Sequence, residues 1–361
     1  MRRAPLVIAA LMAILAVIGA AVAVTEFDRS ASQQCLSGKL LYEAPDAEAG
    51  TDLPVVSAPA RRIDWEMVEH DGDGPRVVDR GRTGLDGRWR ACAEGDVAHS
   101  MRFLSSSSAT EVAVVGATDG DVLSFDTETT SGTRDFGDLV VGDDIAPSPA
   151  WKVVDTVGML YDARSTGRPG CWTNLTCDRL VIRWAVEPGS EDSYFDEASN
   201  QVILGHKDAQ SKHVIIHEAA HWFQYNVQGP ENTPVVTDCE HHEAAVATST
   251  TCAWTEGFAV ATSAHVLGDT RHVFDDGEEV DVRGLGEIAG WDDGDEVEGR
   301  VAGSLLDIWD RVDAGDWSSS VDVLAQPLTD FRDYFDARVV RDPELEDQIV
   351  AVLADHTIDY R

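Results

Sequence analysis

Lysine is almost missing from this 361-residue chain: Lys39, Lys152, Lys207 and Lys212 are the only four, and arginine supplies the rest of 28 cations against 65 acidic residues. The formal charge is −37 at pH 7. A surface so poor in cations repels phosphate, which excludes nucleic acid and anionic lipid headgroups as partners. It fits a protein made for salty surroundings, or an acidic exported protein from an arginine-biased proteome. Long apolar runs are missing apart from one, at residues 4–24, and no internal repeat is present. No cysteine follows that run directly, which excludes a lipoprotein anchor. What the chain does have is 43% hydrophobic residues, so it is not wholly disordered, and its length suits two domains.

Arg2 and Arg3 head the apolar run, and Ala21-Val22-Ala23 supplies a small-x-small cleavage signal, so residues 1–23 read as a signal peptide. The run is also long enough to span a bilayer, which leaves an uncleaved signal-anchor and a membrane tether as the alternative. In either case the positive end stays inside and the rest of the chain is extracellular. The residues after Arg2-Arg3 do not support a twin-arginine signal. Six cysteines in an exported chain then point to disulfides, and locality favours Cys35–Cys92, Cys171–Cys177 and Cys239–Cys252. Asn174-Leu175-Thr176 is a glycosylation sequon inside the small cystine loop.

Residues 24–34 are polar and read as a tether. From 35 to 130 short alternating segments, at about 63–67, 76–80, 87–92, 101–104, 111–115 and 122–125, are separated by Gly- and Asp-rich turns, the pattern of an antiparallel β-sandwich. Residues 131–147, rich in Gly and Asp, read as a linker to a second domain at 148–361. There Ser148 and Pro149 mark a helix start, strands are expected at 180–186 and 201–204, and helices at 297–312, 328–339 and 343–355. The acidic stretch 275–298 matches no EF-hand loop and reads as a solvated surface. The fold class expected is α+β: a β-sandwich followed by a mainly helical domain with a small sheet.

The stretch 212–227 (KHVIIHEAAHWFQYNV) is apolar nearly all round and reads as a buried helix. Within it His217-Glu218-Ala219-Ala220-His221 is an H-E-x-x-H match. Two histidines four apart share one helix face and present nitrogen, which Zn2+ prefers. Glu218 flanks that face and can act on a water without being a ligand, the general-base arrangement of a metalloprotease. Buried histidines and a carboxylate are costly unless a bound metal compensates them. Against this stands a chance match over satisfied core histidines.

A third ligand separates the zinc hydrolase classes. Gln224 and Val227 lack the glycine and the histidine or aspartate of the metzincin continuation. Ala253-Trp254-Thr255-Glu256-Gly257-Phe258-Ala259 resembles the helix turn that supplies the glutamate ligand in secreted gluzincins such as thermolysin and fungalysin, which implies His217, His221 and Glu256 as metal ligands and a zincin-like domain. Glu256 follows His221 by 35 residues, longer than the thermolysin spacing, so the resemblance is at the level of the clan. Glu243, in His241-His242-Glu243, is the rival ligand, and the flanking histidines could themselves bind metal, the alternative being a solvated face. In the first half, the 38–42 run, the strand near Ile63 and Thr83-Gly84-Leu85-Asp86-Gly87-Arg88-Trp89 resemble the transthyretin-like or carboxypeptidase-regulatory-like sandwich, which implies an accessory role.

The function expected is zinc-dependent hydrolysis of peptide bonds in peptide or protein substrates outside the cytoplasm. Glu218 is the expected general base, Tyr225, His265 or His272 the oxyanion donor, and residues 201–205 the strand along the cleft edge. A glutamate ligand implies metal loss in acid. The alternatives are a zinc hydrolase of a non-peptide bond and a non-catalytic surface adhesion protein with a structural metal site. An intact Glu218 beside both histidines weighs against the last.

Overall fold

The structure is a computed structural model that describes residues 33–72, 74–142, 147–164, 172, 178–189, 192–284 and 289–361. The N-terminal run, the 171–177 cystine and its sequon lie outside the described residues. Among the described residues no helix is long and apolar enough to cross a membrane.

The first half holds β1 (Gln33–Pro45), β2 (Val55–Pro59), β3 (Asp64–Asp71), β4 (Gly74–Arg82), β5 (Arg88–Glu94), β6 (Ala98–Leu104), β7 (Ser106–Ser107), β8 (Val112–Gly116), β9 (Ser124–Asp126) and β10 (Arg134–Val141). Long β1 takes β5 and β2 antiparallel and β10 parallel; β4, β3, β6 and β9 form a second, antiparallel sheet in that order. Inward-facing residues at period two fill the space between them, where Trp89 of β5 meets Phe103 of β6 edge-on at 5.3 Å. The Cys35–Cys92 disulfide ties β1 to β5 as expected.

Two segments depart from the sequence reading. The linker expected at 131–147 contains β10, whose Leu139, Val140 and Val141 pair with β1. Its Gly and Asp content reads as loop, but Gly137 supplies φ +64° at the point where the β1–β10 register shifts, and the strand continues past it. The segment expected as a sandwich strand at 111–115 is β8, and it leaves the sandwich. It pairs in parallel with β11 (Leu180–Trp184), so the second half's sheet, β12 (Tyr194–Asp196), β13 (Gln201–Leu204), β11, β8 and β7, takes two strands from the first.

Among the described residues seven α-helices follow: α1 (Pro149–Ala163), α2 (Lys212–Gln228), α3 (Thr250–Leu267), α4 (Glu298–Asp307), α5 (Ser318–Leu324), α6 (Phe331–Arg341) and α7 (Glu346–Asp355), with a short hairpin of β14 (Arg271–Val273) and β15 (Glu279–Asp281) between α3 and α4. Sheets and helices together bear out the α+β class. Pro149 opens α1 as expected, but the Ser148 hydroxyl donates to the Glu43 carbonyl instead of capping its own helix. Helix α2 has both ends sealed: Ser211 Oγ accepts from the Val214 amide at 3.1 Å, and Gly229 turns the chain out at φ +85°. Its apolar sides are fully buried, with Trp222 against Trp172 at 5.4 Å and Phe223 against Trp317 at 5.8 Å. Trp222→Ala is therefore expected to cost about 3–5 kcal/mol of stability, read as a drop in the urea midpoint. A loss below about 1 kcal/mol would mean that this side of α2 is not packed as described.

Candidate metal centre

Helix α2 presents His217 and His221 one turn apart, and α3 crosses it with Glu256 opposite. The His217 and His221 Nε2 atoms lie 3.0 Å apart, and Glu256 Oε2 is 3.1 Å from the first and 3.2 Å from the second. Tetrahedral zinc with ligands at 2.0–2.1 Å has ligand–ligand edges of about 3.3 Å, so the three atoms stand close to where one ion would place them. Gly257 lets α3 come this near to α4: a Cβ there would lie 2.9 Å from the Glu298 carbonyl oxygen and from Val301. Any side chain there would force a shift between the two helices.

The electrostatics call for a cation. Burial pushes the Glu256 carboxyl up, but the charge of His221 and hydrogen bonds from both imidazoles hold it well below the ordinary carboxylate range. Burial lowers His221, and Glu256 outweighs it, so that the imidazole is pushed up to about 9. The carboxylate and the two imidazoles are in mutual contact, with their lone-pair atoms converging on one point. Among the described residues the buried Nδ1 atoms of both histidines have no hydrogen-bond partner. Two neutral nitrogens and one anionic oxygen make a donor set that fits zinc.

Glu218 is not among the converging atoms, yet lines the same cavity of about 290 Å³ with His217, His221 and Glu256. Burial raises its pKa, an effect that the two histidines partly oppose. Glu243, the rival ligand, is exposed and belongs to no such group. Of the expected oxyanion donors, Tyr225 lines the cavity and lies against Phe195, ring centroids 5.1 Å apart and tilted by 60°. His272 is buried beside His217 with ring centroids 5.6 Å apart, and burial holds its pKa well below 6.5. His265 is elsewhere, packed between Trp309 and Trp317.

The sequence leaves His242 open between a metal ligand and a solvated histidine, and does not show its pairing with Glu298. Its Nε2 is 3.9 Å from Glu256 Oε2, while its Nδ1 is 2.8 Å from a carboxylate oxygen of Glu298, which raises its pKa. A carboxylate behind a histidine that faces a site is a recognisable pairing, but these partners are 56 residues apart in sequence. The Cys239–Cys252 disulfide forms as expected, anchors the loop that carries His242 to the first turn of α3, and brings Cys239 Sγ within 3.8 Å of Glu256 Oε1. A bridged sulfur has no proton to donate and is no thiolate, so Cys239 is neither a hydrogen-bond partner nor a ligand.

The cleft edge is also corrected. Residues 201–204 form β13, which is paired on both sides; the edge strand is β12, and its Tyr194 and Phe195 line the cavity. Three residues are too few for a period-two signal.

With this geometry in view, residues 165–357 match the mycolysin C-terminal domain and residues 35–148 match the mycolysin middle domain. The chain belongs to the mycolysin family. Mycolysin membership supports a protease-type function and is compatible with a zinc metallopeptidase. The region that resembles a transthyretin-like sandwich is the one matched by the mycolysin middle domain. Comparison with curated proteins gave no match. Among solved structures, a 9R-lipoxygenase from Cyanothece PCC8801 is similar at 14% identity, covering 37% of this chain and 23% of that one with a TM-score of 0.19. The chain thus spans under a quarter of that protein, and the likeness bears on neither fold nor chemistry.

Proposed function

We propose that this chain is an exported zinc-dependent peptidase in which His217, His221 and Glu256 hold the metal and Glu218 is the general base. The convergence of three ligand atoms beside a buried carboxylate that does not join them carries this reading. When bound, zinc supplies Lewis acidity, which makes water a nucleophile at neutral pH and polarises the scissile carbonyl. Glu218 accepts the proton of the attacking water and hands it to the departing amine; its raised pKa suits both transfers. His242, oriented by Glu298, is placed to donate to the oxyanion. An extended peptide can add to the free side of β12, which binds backbone and leaves selectivity to the pockets.

His242→Ala is expected to lower kcat about a hundredfold with zinc retained and KM little changed. An unchanged kcat would assign the oxyanion to Tyr225 instead. The reading as a whole is tested with unfolded casein and a peptide library, products being read by mass spectrometry. Cleavage that stops with a chelator and returns with zinc is expected. A zinc-loaded protein that cuts no peptide would point to a non-peptide bond or to a structural metal.

A further inference from the structure

Two of the chain's four lysines meet where its first half touches the start of α2. Lys152 of α1 is fully buried, with Nζ 2.7 Å from the Pro45 carbonyl, 2.6 Å from the Gln210 carbonyl and 3.1 Å from Asp46 Oδ1. Lys212 Nζ lies 2.7 and 2.8 Å from the two Asp46 oxygens. In a chain so poor in lysine, this concentration marks a junction that is built, because a buried ammonium without such partners would be expelled.

Beside it sits Glu48, on the 3-10 turn Ala47–Ala49 that follows β1. Glu48 Oε1 accepts from the Lys212 amide at 2.6 Å and from the His213 amide at 3.0 Å, and lies 3.2 Å from His213 Nδ1. The first amides of a helix have no partner within the helix, and its positive end favours an anion. Ser211 satisfies Val214, and Glu48 satisfies the two amides before it from 164 residues upstream. Part of the cap of the helix that carries His217 and His221, beside Ser211, therefore belongs to the first half of the chain.

From this cap a column of imidazoles leads to the metal centre. Ring centroids are 5.8 Å apart for His213 and His272, 5.6 Å for His272 and His217, and 4.6 Å for His217 and His221. A zinc-binding histidine is ordinarily oriented by an acceptor at its far nitrogen. Neither His217 Nδ1 nor His272 Nδ1 has one among the described residues, so packing in the column sets the His217 ring. The hairpin that carries His272 rests on the same upstream loop: a Cβ on Gly277 would lie 2.8 Å from the Gly50 carbonyl oxygen and from Thr51 Cα. Both the helix start and the ring behind His217 are thus held by residues 46–51.

We propose that Glu48 is a positioning residue for the metal centre, and that the region matched by the mycolysin middle domain is a permanent part of the catalytic unit and not a segment removed for activation. This rests on the zinc peptidase reading above. Loss of that region would strip the Lys212 and His213 amides of α2 of their acceptor, Lys152 of two of its three partners, and the β11 sheet of β7 and β8.

The test uses the full exported chain with Glu48→Ala and Glu48→Gln, and reads zinc affinity by chelator competition together with kcat and KM on one peptide. Glu48→Ala is expected to weaken zinc binding and lower kcat about 10–100-fold, with KM within about twofold. Glu48→Gln keeps an acceptor oxygen for the two amides but loses the charge, so its values should fall between wild type and alanine. Where Glu48→Ala does not fold, Glu48→Gln decides: weaker zinc binding supports the proposal and wild-type affinity overturns it. Two folded variants with wild-type zinc affinity and kcat also overturn it, as does full activity in a chain cleaved free of residues 35–148. A wild-type chain without zinc or peptidase activity overturns the site reading itself and the proposal with it, an outcome visible before any variant is compared.

Discussion

Glu218→Gln is expected to lower kcat/KM by about 10²–10⁴-fold while leaving bound zinc and stability close to wild type. The substitution keeps shape and volume in a buried position and removes only the ability to take a proton. Glu218 is not one of the three converging atoms, so the metal should not notice the change. Its neutral replacement also relieves the cost of a buried charge, so the thermal midpoint should hold or rise. Steady-state kinetics with parallel metal analysis separates the outcomes. Activity that survives would remove Glu218 from the proton path; activity lost together with zinc would make it a ligand.

Glu256→Ala has the larger effect on the metal. With two imidazoles left, the site keeps two of three protein ligands, and zinc affinity should fall by more than the 10–100-fold typical of residues that only orient ligands. Activity should fall to background at ordinary zinc concentrations. The two helices should also separate locally, because Glu256 compensates His221 in a buried place. Glu243→Ala is the matched control: Glu243 is exposed and outside the cluster, so zinc content and kcat should be those of wild type. If the two variants exchange these behaviours, the third ligand has been misassigned.

What the sequence made legible were features held by near neighbours. The α2 helix announces itself through the apolar circumference of 212–227, and His217 and His221 share one face, flanked by Glu218, because a helix turn puts them there. Glu256 was found because its own helix has a distinctive turn, with Gly257 where α4 must come close. The disulfides at Cys35–Cys92 and Cys239–Cys252 followed from locality.

The features that escaped depend on partners far along the chain. His242 stays open between a metal ligand and a surface histidine until Glu298, at the start of α4, is seen behind it. β12 is three residues long and exists because β13 offers it an edge. β10 reads as a linker because its glycine and aspartates outweigh its aliphatics locally, whereas pairing with β1 decides its state. β8 has the composition of any buried strand, and composition does not say which sheet it joins. Glu48 is hardest of all: nothing in its local sequence signals that it caps a helix 164 residues away.

The central claim is that His217, His221 and Glu256 hold one catalytic zinc. Metal analysis of the purified chain, with no metal added after purification, tests it most directly. One zinc per chain is expected, retained in Glu218→Gln and lost in His221→Ala. A chain without zinc, or one whose zinc survives His221→Ala, would contradict it.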